Sequence, residues 1–359
     1  MITGNKGEWS EVYTLFKIIS DKFLFAGDSN LNKIENIVFP IVKILRDELS
    51  GTFEFGYEFD IVIVNDKKQN FRIPISEFHK NAEFLLSKLK EDKPASFSIP
   101  EIENFINSFN CNSIKAKSSV KSDIVIVVHD QRTGNNPKLG FSIKSQLGGA
   151  STLLNAGKTT NFIYKIDNAK LTDLQIEEIN GLFTRSKIKD RINKIREFSG
   201  ILNFSKTESH VFGNNLTLID SAMPKILSEI VLLFYTTGFT KTVDLANEIS
   251  KINPLEFDLE FDHPFYFYKI KRFLTDIALG MMPSKVWTGD LDATGGYLIV
   301  KDDGEILCYH IYNRNDFENY LINNTKLETA SSSRHDFGSI FKSENDLFFK
   351  LNLQIRFLK

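Results

Sequence analysis

The chain has 359 residues, of which 42% are hydrophobic and 25% are charged, and its formal net charge is −2. This composition is typical of a globular protein with two or three subdomains, and it excludes a protein that coats nucleic acid through overall positive charge. The two cysteines are far apart and the apolar runs are short. We therefore expect a cytoplasmic protein without a disulfide scaffold or membrane contact.

The first third of the chain alternates helix and strand patterns. Apolar side chains at spacings of three and four predict an amphipathic helix over 7–20. A second helix, interrupted by Pro40 or beginning near it, is predicted over 34–49. The next elements follow in chain order: strands over 53–64 and 71–75, a helix over 76–90 and a short helix near 100–109.

The stretch 123–147 predicts a β-hairpin. Its first strand is almost purely apolar, as in a central strand, and Phe141–Ser145 alternates apolar and polar side chains. Turn residues lie between the two strands, at Thr133–Asn136. A small polar loop with room for a short helix is predicted over 148–162.

The rest of the chain is predicted to be mostly helical up to residue 250. The later elements are these: a basic amphipathic helix over 185–196 with Ile188, Ile192 and Ile195 on one face, a helix over 263–282, and a hairpin over 295–312 that turns at 302–304.

The 123–147 hairpin carries charges that need an explanation. If it folds symmetrically about Thr133 and Gly134, Lys144 lies opposite Asp123, and Ser142, Lys144 and Gln146 share a face. One interpretation is a buried ion pair, which stabilises a fold only weakly. The other is a magnesium-dependent phosphodiester site, in which the carboxylate holds the metal and the lysine neutralises developing phosphate charge.

A hard divalent metal needs more than one carboxylate, and position 142 is a serine. The predicted N-terminal helix offers Glu8 and Glu11, which lie on neighbouring parts of one helix face. Acidic residues in a first helical turn also favour the helix dipole, so a purely structural role stays open.

Several stretches together resemble a known family. They are "GNKGEWSEVY" at 4–13, "KSDIVIVV" at 121–128, "GFSIKSQLGGASTLLNAGKTTNF" at 140–162, and the region from "GGYLIVKDDGEILCYHIYN" to "SSSRHDFGSIFK". This ordered set resembles the HpaII-like type II restriction endonucleases of the PD-(D/E)xK nuclease superfamily, over most of the chain.

The resemblance implies a mixed α/β (α+β) fold: a restriction-endonuclease-like core, with a central mixed sheet flanked by helices and with helical and hairpin additions. It also implies magnesium-dependent cleavage of double-stranded DNA at a palindrome, CCGG for the type enzyme. Asp123, Lys144 and Glu11 match the catalytic residues. Asp123, Glu11 and the Ile143 carbonyl match metal ligands, with Glu8 as the alternative acid.

Two departures from the family motif stand out. Ser122 precedes the aspartate where the motif has proline, and Ser142 replaces an acid. The second departure leaves the number of metal ions open.

Candidate DNA contacts follow from chemistry. Arginine is the expected reader of guanine, and Arg334 in "SSSRHD" is the first choice, with Arg132 and Arg314 as rivals. His310 and His335 are compatible with an acid/base role, but a histidine in "CYHIY", His310, is expected to be a packed strand residue, and a lysine site does not require a histidine. The basic helix at 185–196 is a further candidate for DNA contacts, although its charges are equally compatible with a solvated face. The other candidates are Gln146, Ser142, Asn155 in the 151–161 loop, Lys115, Lys117 and Lys121.

We expect three parts: a nuclease core at 1–165, a mainly helical DNA-contacting region at 166–290, and a hairpin with a recognition loop at 291–359 packed on the core. The resemblance further implies a bacterial homodimer with a cognate DNA methyltransferase in the same host. The alternatives are a non-catalytic DNA-binding or structural protein, and a structure-specific repair nuclease without sequence preference.

Overall fold

The computed structural model describes residues 2–48, 51–114, 122–131 and 133–359. The helices and strands are, in chain order: α1 (Lys6–Asp21), β1 (Phe23–Gly27), β2 (Lys33–Glu48), β3 (Gly51–Glu58), β4 (Ile61–Asn65), β5 (Asn70–Pro74), α2 (Ile75–Lys90), α3 (Pro100–Asn107), β6 (Ile124–Val128), β7 (Lys138–Ser145), β8 (Thr152–Leu154), β9 (Asn161–Asp167), α4 (Asp173–Asn180), α5 (Lys187–Glu197), β10 (Ile201–Thr207), α6 (His210–Ile219), α7 (Met223–Thr236), α8 (Thr242–Ile252), α9 (Phe265–Leu279), β11 (Gly296–Val300), β12 (Ile306–His310), α10 (Arg314–Asn323), β13 (Thr325–Leu327), α11 (Ser332–His335), β14 (Ile340–Ser343), β15 (Asp346–Asn352) and β16 (Ile355–Phe357).

The chain forms two compact units. The first consists of the residues up to Ser151, Leu291–Tyr320 and Lys359, and the second consists of Thr152–Asp290 and Leu321–Leu358. The predicted three-part organisation has the same boundary after residue 290, but it places its first boundary at 165, whereas the second unit begins at Thr152. Its assignment of a nuclease core, a DNA-contacting region and a recognition segment stays a prediction.

The first unit is built on a mixed sheet with the strand order β1-β12-β11-β7-β6-β2-β3-β4-β5. β1 also pairs with β2, so the strands from β1 round to β2 form a closed ring, and β3, β4 and β5 extend from it. The β7–β11 and β1–β12 pairs are parallel, and the other pairs in this sheet are antiparallel. This arrangement, with α1, α2 and α3 packed in the same core, confirms the predicted α/β class.

Helix α1 confirms the first sequence prediction. Asn5 caps it, because its side chain accepts a hydrogen bond from the Glu8 backbone N–H. The apolar stripe, which includes Trp9, Tyr13 and Phe16, is fully buried. The Trp9 indole also donates to the Phe97 carbonyl at 3.1 Å, so α1 is fixed by both packing and hydrogen bonding.

The helix predicted over 34–49 was wrong, since this stretch forms the long strand β2. Its run of Ile and Val favours strand conformation, and three partner strands supply its backbone hydrogen bonds: β1, β6 and β3. Pro40 lies inside β2, where the pairing changes from β1 to β6 and the register shifts between Ile41 and Lys43. Tertiary pairing therefore overrides the helical spacing of the apolar residues.

The 123–147 hairpin is confirmed as β6 and β7, but its predicted register was wrong. Ile124 pairs with Phe141 and Val125 pairs with Gly140, so Ser142, not Lys144, lies across from Asp123. The paired positions are symmetric about a point one residue earlier in the chain than the prediction assumed. A slip of two residues keeps every side chain on its predicted face.

The second unit combines helices α4–α9 with two small antiparallel sheets, of strand order β10-β9-β15-β14 and β13-β16-β8. Strand β10 interrupts the stretch predicted to be mostly helical, and β8 and β9 occupy part of the predicted polar loop. The predicted basic helix is confirmed as α5, with Ile188, Ile192 and Ile195 buried. The predicted helices α2, α3 and α9 and the hairpin β11–β12 are also confirmed.

The sequence predicts neither a membrane span nor a disulfide scaffold. Among the described helices, none is long and apolar enough to cross a membrane. Cys111 and Cys308 are both buried and unbonded to each other.

His310 lies at the end of β12, inside the closed ring, and is 1% exposed. Its ring stacks on Phe39 at 5.0 Å and meets Phe141 at 5.9 Å. Nδ1 accepts the Tyr312 backbone N–H, while Nε2 is buried without a hydrogen-bond partner in the described part of the chain. The expectation of a packed strand histidine is therefore confirmed.

Burial lowers the pKa of His310 from 6.5 to about 4, and the charge of Asp130 opposes this shift only in part. The unfolded chain takes up a proton near pH 6.5, whereas the native imidazole does so only near pH 4. The free energy of unfolding should therefore fall by about 3 kcal/mol between these pH values through this residue. Denaturant titrations at several pH values should show that His310→Phe removes this component of the pH dependence.

The matched control is His79→Phe, because His79 is exposed on α2 beside Glu83. The assignment of the acid sensitivity to His310 is wrong if both substitutions leave the pH profile equally unchanged.

Candidate active site

Two neighbouring strands of the first unit bring the predicted catalytic residues together. Asp123 directly precedes β6, and Lys144 is the next-to-last residue of β7. The Asp123 backbone N–H donates to the Phe141 carbonyl at 2.8 Å, which continues the β6–β7 ladder as far as the aspartate. Both side chains are therefore held by regular strand geometry and not by a loop.

A chain of hydrogen bonds connects the two charges through Ser142. The Ser142 hydroxyl donates to Asp123 Oδ2 at 3.0 Å, and Lys144 Nζ donates to the same hydroxyl oxygen at 3.1 Å. Asp123 Oδ2 also accepts the Ile143 backbone N–H at 2.7 Å. Ser142 is only 4% exposed, while Asp123 and Lys144 are half-buried. The serine that replaces the expected acid thus orients both charged groups.

Tyr297 forms a wall of the site that the sequence did not indicate. It lies on β11 beside Ser142, and its ring centroid is 5.3 Å from Lys144 Nζ. Burial, and to a lesser extent the charge of Asp123, raises the pKa of its phenol well above the usual value. Tyr297 therefore stays neutral and offers an aromatic face to the ammonium group. No periodicity reveals that β11 is the parallel neighbour of β7.

The position of β11 depends on glycine. Gly296 has a φ of +108°, and a Cβ at this position would collide with the Tyr309 carbonyl oxygen. Any other residue would push β11 away from β12, and Tyr297 would move with it.

Helix α1 lies against β7, and it carries the two candidate glutamates. One Glu8 carboxylate oxygen accepts the Asn5 backbone N–H at 2.9 Å, which completes a capping box. Glu8 therefore has a structural role at the start of the helix. Glu11, one turn further along, is half-buried.

The possible metal ligands around Asp123 suit a hard cation only in part. Asp123 accepts both of its hydrogen bonds through Oδ2, so within the described residues Oδ1 accepts none and is available to a cation. In the same residues, no group of three or more His, Cys, Asp or Glu side chains is placed to hold a metal ion. A metal here would need backbone carbonyl and water ligands in addition to carboxylates.

The predicted DNA contacts are distributed over both units. Gln146 follows β7 in the first unit, whereas Asn155 and Arg334 are exposed in the second. Ser142 was also predicted to contact DNA, but it is buried and its hydroxyl is engaged. Arg314, a rival guanine reader, pairs with Glu318 at 2.6 Å. Lys115, Lys117, Lys121 and Arg132 lie outside the described residues.

The cations of helix α5 do not behave alike. Arg191 is 4% exposed, and its guanidinium donates to backbone carbonyls, among them those of Leu182 and Gly338. Lys194 pairs with Glu197 at 3.0 Å. The predicted phosphate-contacting role is therefore best supported for the residues at the start of the helix.

Comparisons with known proteins identify a family that the whole chain resembles. A family model described as HpaII restriction endonuclease matches residues 5–357. The chain is 52% identical over 361 residues to the protein named Type II restriction enzyme HpaII from Haemophilus parainfluenzae, and the match covers 99% of each sequence. No solved structure matches the chain significantly.

Lys144 should matter little for stability. It is half-buried, reaches Asp123 through Ser142 and keeps an aromatic contact, so Lys144→Met should change the free energy of unfolding by about 1 kcal/mol or less. Arg191→Met is the control, because it leaves buried carbonyls without donors and should cost roughly 3 kcal/mol or more. Chemical denaturation measures both. A comparable loss for Lys144→Met would instead identify a structural ion pair.

Proposed function

Since this chain belongs to the HpaII restriction endonuclease family and is a type II site-specific deoxyribonuclease that acts on double-stranded DNA, we propose that Asp123, Ser142 and Lys144 form its cleavage centre. One observation carries the proposal. The Ser142 hydroxyl accepts a hydrogen bond from the Lys144 ammonium group and donates one to the Asp123 carboxylate. A carboxylate and a cation are thereby held together at the end of adjacent strands. In metal-assisted phosphodiester hydrolysis, a carboxylate can hold the metal and a cation can stabilise the developing phosphate charge.

The proposed metal ligands are oxygen atoms of the same hairpin and of helix α1. Type II enzymes generally use a divalent metal, and we assign Mg²⁺, because the available donors are oxygens. Asp123 Oδ1, the Ile143 carbonyl and Glu11 would hold it. Glu8 is the less favoured acid, since its carboxylate caps α1. When bound, the ion supplies Lewis-acid polarisation of the phosphate and neutralises developing negative charge.

Lys144 has the role of a positioned cation. Its Nζ is fixed between the Ser142 hydroxyl and the Tyr297 ring, so it reaches the reacting phosphate without first rearranging. From there it orients the attacking water and stabilises the negative charge that grows on the phosphate oxygens. Ser142 acts as a positioning residue, because it touches both charged groups but offers no anionic ligand.

The target site proposed for the enzyme is CCGG, with Arg334 as a guanine reader. Arg334 is exposed on α11, and arginine pairs with guanine O6 and N7. Asn155 and Gln146 are proposed as further contacts, as are Lys121 and Arg132, which lie outside the described residues. A palindrome is read most simply by a two-fold homodimer.

A bacterial cytoplasmic location and a cognate methyltransferase that protects the host DNA complete the proposal. Family membership favours this activity over a non-catalytic DNA-binding protein and over a repair nuclease without sequence preference.

Digestion of a sequenced plasmid by the purified protein, with and without magnesium, tests the proposed site. We expect discrete magnesium-dependent fragments whose mapped ends all fall within CCGG. Fragments that end in another sequence would refute the target, and uncut DNA over a wide range of salt and metal concentrations would refute the cleavage centre.

Lys144→Met should lower the single-turnover cleavage rate by about 10²-fold or more, because a preorganised cation is lost from the transition state. Asp123→Asn should have an effect at least as large. The matched control is Lys138→Met, which removes the same side chain from the exposed start of the same strand. Equal rates for Lys138→Met and Lys144→Met would contradict the assigned role.

The two glutamates should be separable by their metal dependence. Glu11→Gln should raise the magnesium concentration needed for half-maximal cleavage by about tenfold, because a ligand carboxylate is lost. Glu8→Gln should leave it unchanged, since glutamine can still complete the capping box. Titration of the cleavage rate with magnesium measures both. The reverse pattern would make Glu8 the ligand.

A further inference from the structure

The second unit contains a basic pocket of about 470 Å³ that lies outside the predicted cleavage residues. It is lined by the start of α5, the end of α7 and the segment that runs from β13 to α11. Its cationic lining residues are Arg185, Lys187, Lys189 and Lys326. The hydroxyls of Thr240, Thr329 and Ser332 border the same space.

In the part of the chain that the structure describes, the four cations of this pocket have no acidic partner. Within the described residues, none of the four cations has a carboxylate within 4.0 Å. Glu328 also lines the pocket, but it pairs with Arg356 at 3.2 Å. The nearby Asp190 carboxylate accepts hydrogen bonds from the hydroxyls of Thr184 and Ser186.

Two cations further along helix α5 differ from those that line the pocket. Further along the helix, Arg191 is buried against backbone carbonyls and Lys194 is paired with Glu197. Cations without a partner therefore concentrate where α5 begins. No side chain caps this end of the helix, so its dipole adds to the positive potential. Ile188, Phe234 and Leu327 give the pocket apolar walls, which weaken solvent screening of the charges.

We propose that this pocket binds phosphate groups of the DNA backbone and fixes the position of the duplex on the second unit. Double-stranded DNA is the anionic substrate of the enzyme, and the inference rests on the proposed function. Arg334 follows Ser332, a lining residue, on the same short helix, and its side chain is exposed. A backbone anchored here would set the register in which Arg334 meets a base, since phosphate contacts position and base contacts specify.

The test uses the full-length protein in EDTA, so that binding is measured without cleavage. Dissociation constants are determined against salt concentration for two duplexes, one with CCGG and one without. The pocket variant is Lys187→Gln combined with Lys326→Gln. The control combines Lys170→Gln with Lys206→Gln, which removes two exposed charges of the same unit outside the pocket.

The pocket variant should bind both duplexes about tenfold more weakly, and its slope of log K against log salt should be smaller by about two, because two phosphate contacts are lost. The control should change affinity by about twofold or less. Far-UV circular dichroism and thermal unfolding verify that the pocket variant and the control are both folded. A pocket variant with the affinity and slope of the control would overturn the proposal.

These outcomes are distinct from failure of the cleavage centre. A wild-type protein that binds duplex but never cuts it refutes the cleavage centre, and the comparison of salt slopes still decides the role of the pocket.

Discussion

The site depends on how β6 pairs with β7, because that pairing decides which side chain stands across from Asp123. In the observed register the partner is Ser142, and Lys144 lies one position further along the same face. The Ser142 hydroxyl then bridges the two charges. Had Lys144 stood directly opposite Asp123, a closed ion pair would have consumed the charges that a phosphate and a metal require. The serine keeps them close but still available.

The surroundings of this hairpin hold it in place. On one side, β11 pairs in parallel with β7 and contributes Tyr297, and on the other, β2 pairs with β6. Helix α1 packs on β7 with a fully buried stripe that includes Trp9. The same helix carries Glu8 and Glu11, so the packing that builds the core also presents the acidic residues. Core stability and site geometry are therefore coupled in this unit.

The protein has a net charge of −2, but its Lys and Arg side chains fall into three groups by burial and by pairing with acidic residues. Some are buried and structural, such as Arg191, and Arg46, which pairs with Glu48 at 3.3 Å. Others form surface pairs, such as Lys194 with Glu197. A third group has no carboxylate within 4.0 Å in the described part of the chain, and it includes the four cations that line one pocket of the second unit. A weakly acidic protein can thus bind a polyanion, because local potential and not total charge controls the contact.

The sequence alone predicted the amphipathic helices and the two hairpins, since apolar periodicity and side-chain alternation are local properties of the chain. The resemblance to a known family added the α/β class and the proposed roles of Asp123 and Lys144. The sequence could not determine that β2 is a strand, that the hairpin register is shifted by two, or that Ser142 and Tyr297 contact the charged side chains. It also gave no sign that the cations of α5 divide into buried, paired and unpaired ones. These features depend on which distant segments become neighbours, and only the tertiary structure decided that, because backbone hydrogen bonds between strands and charge pairing are satisfied by partners far away in sequence.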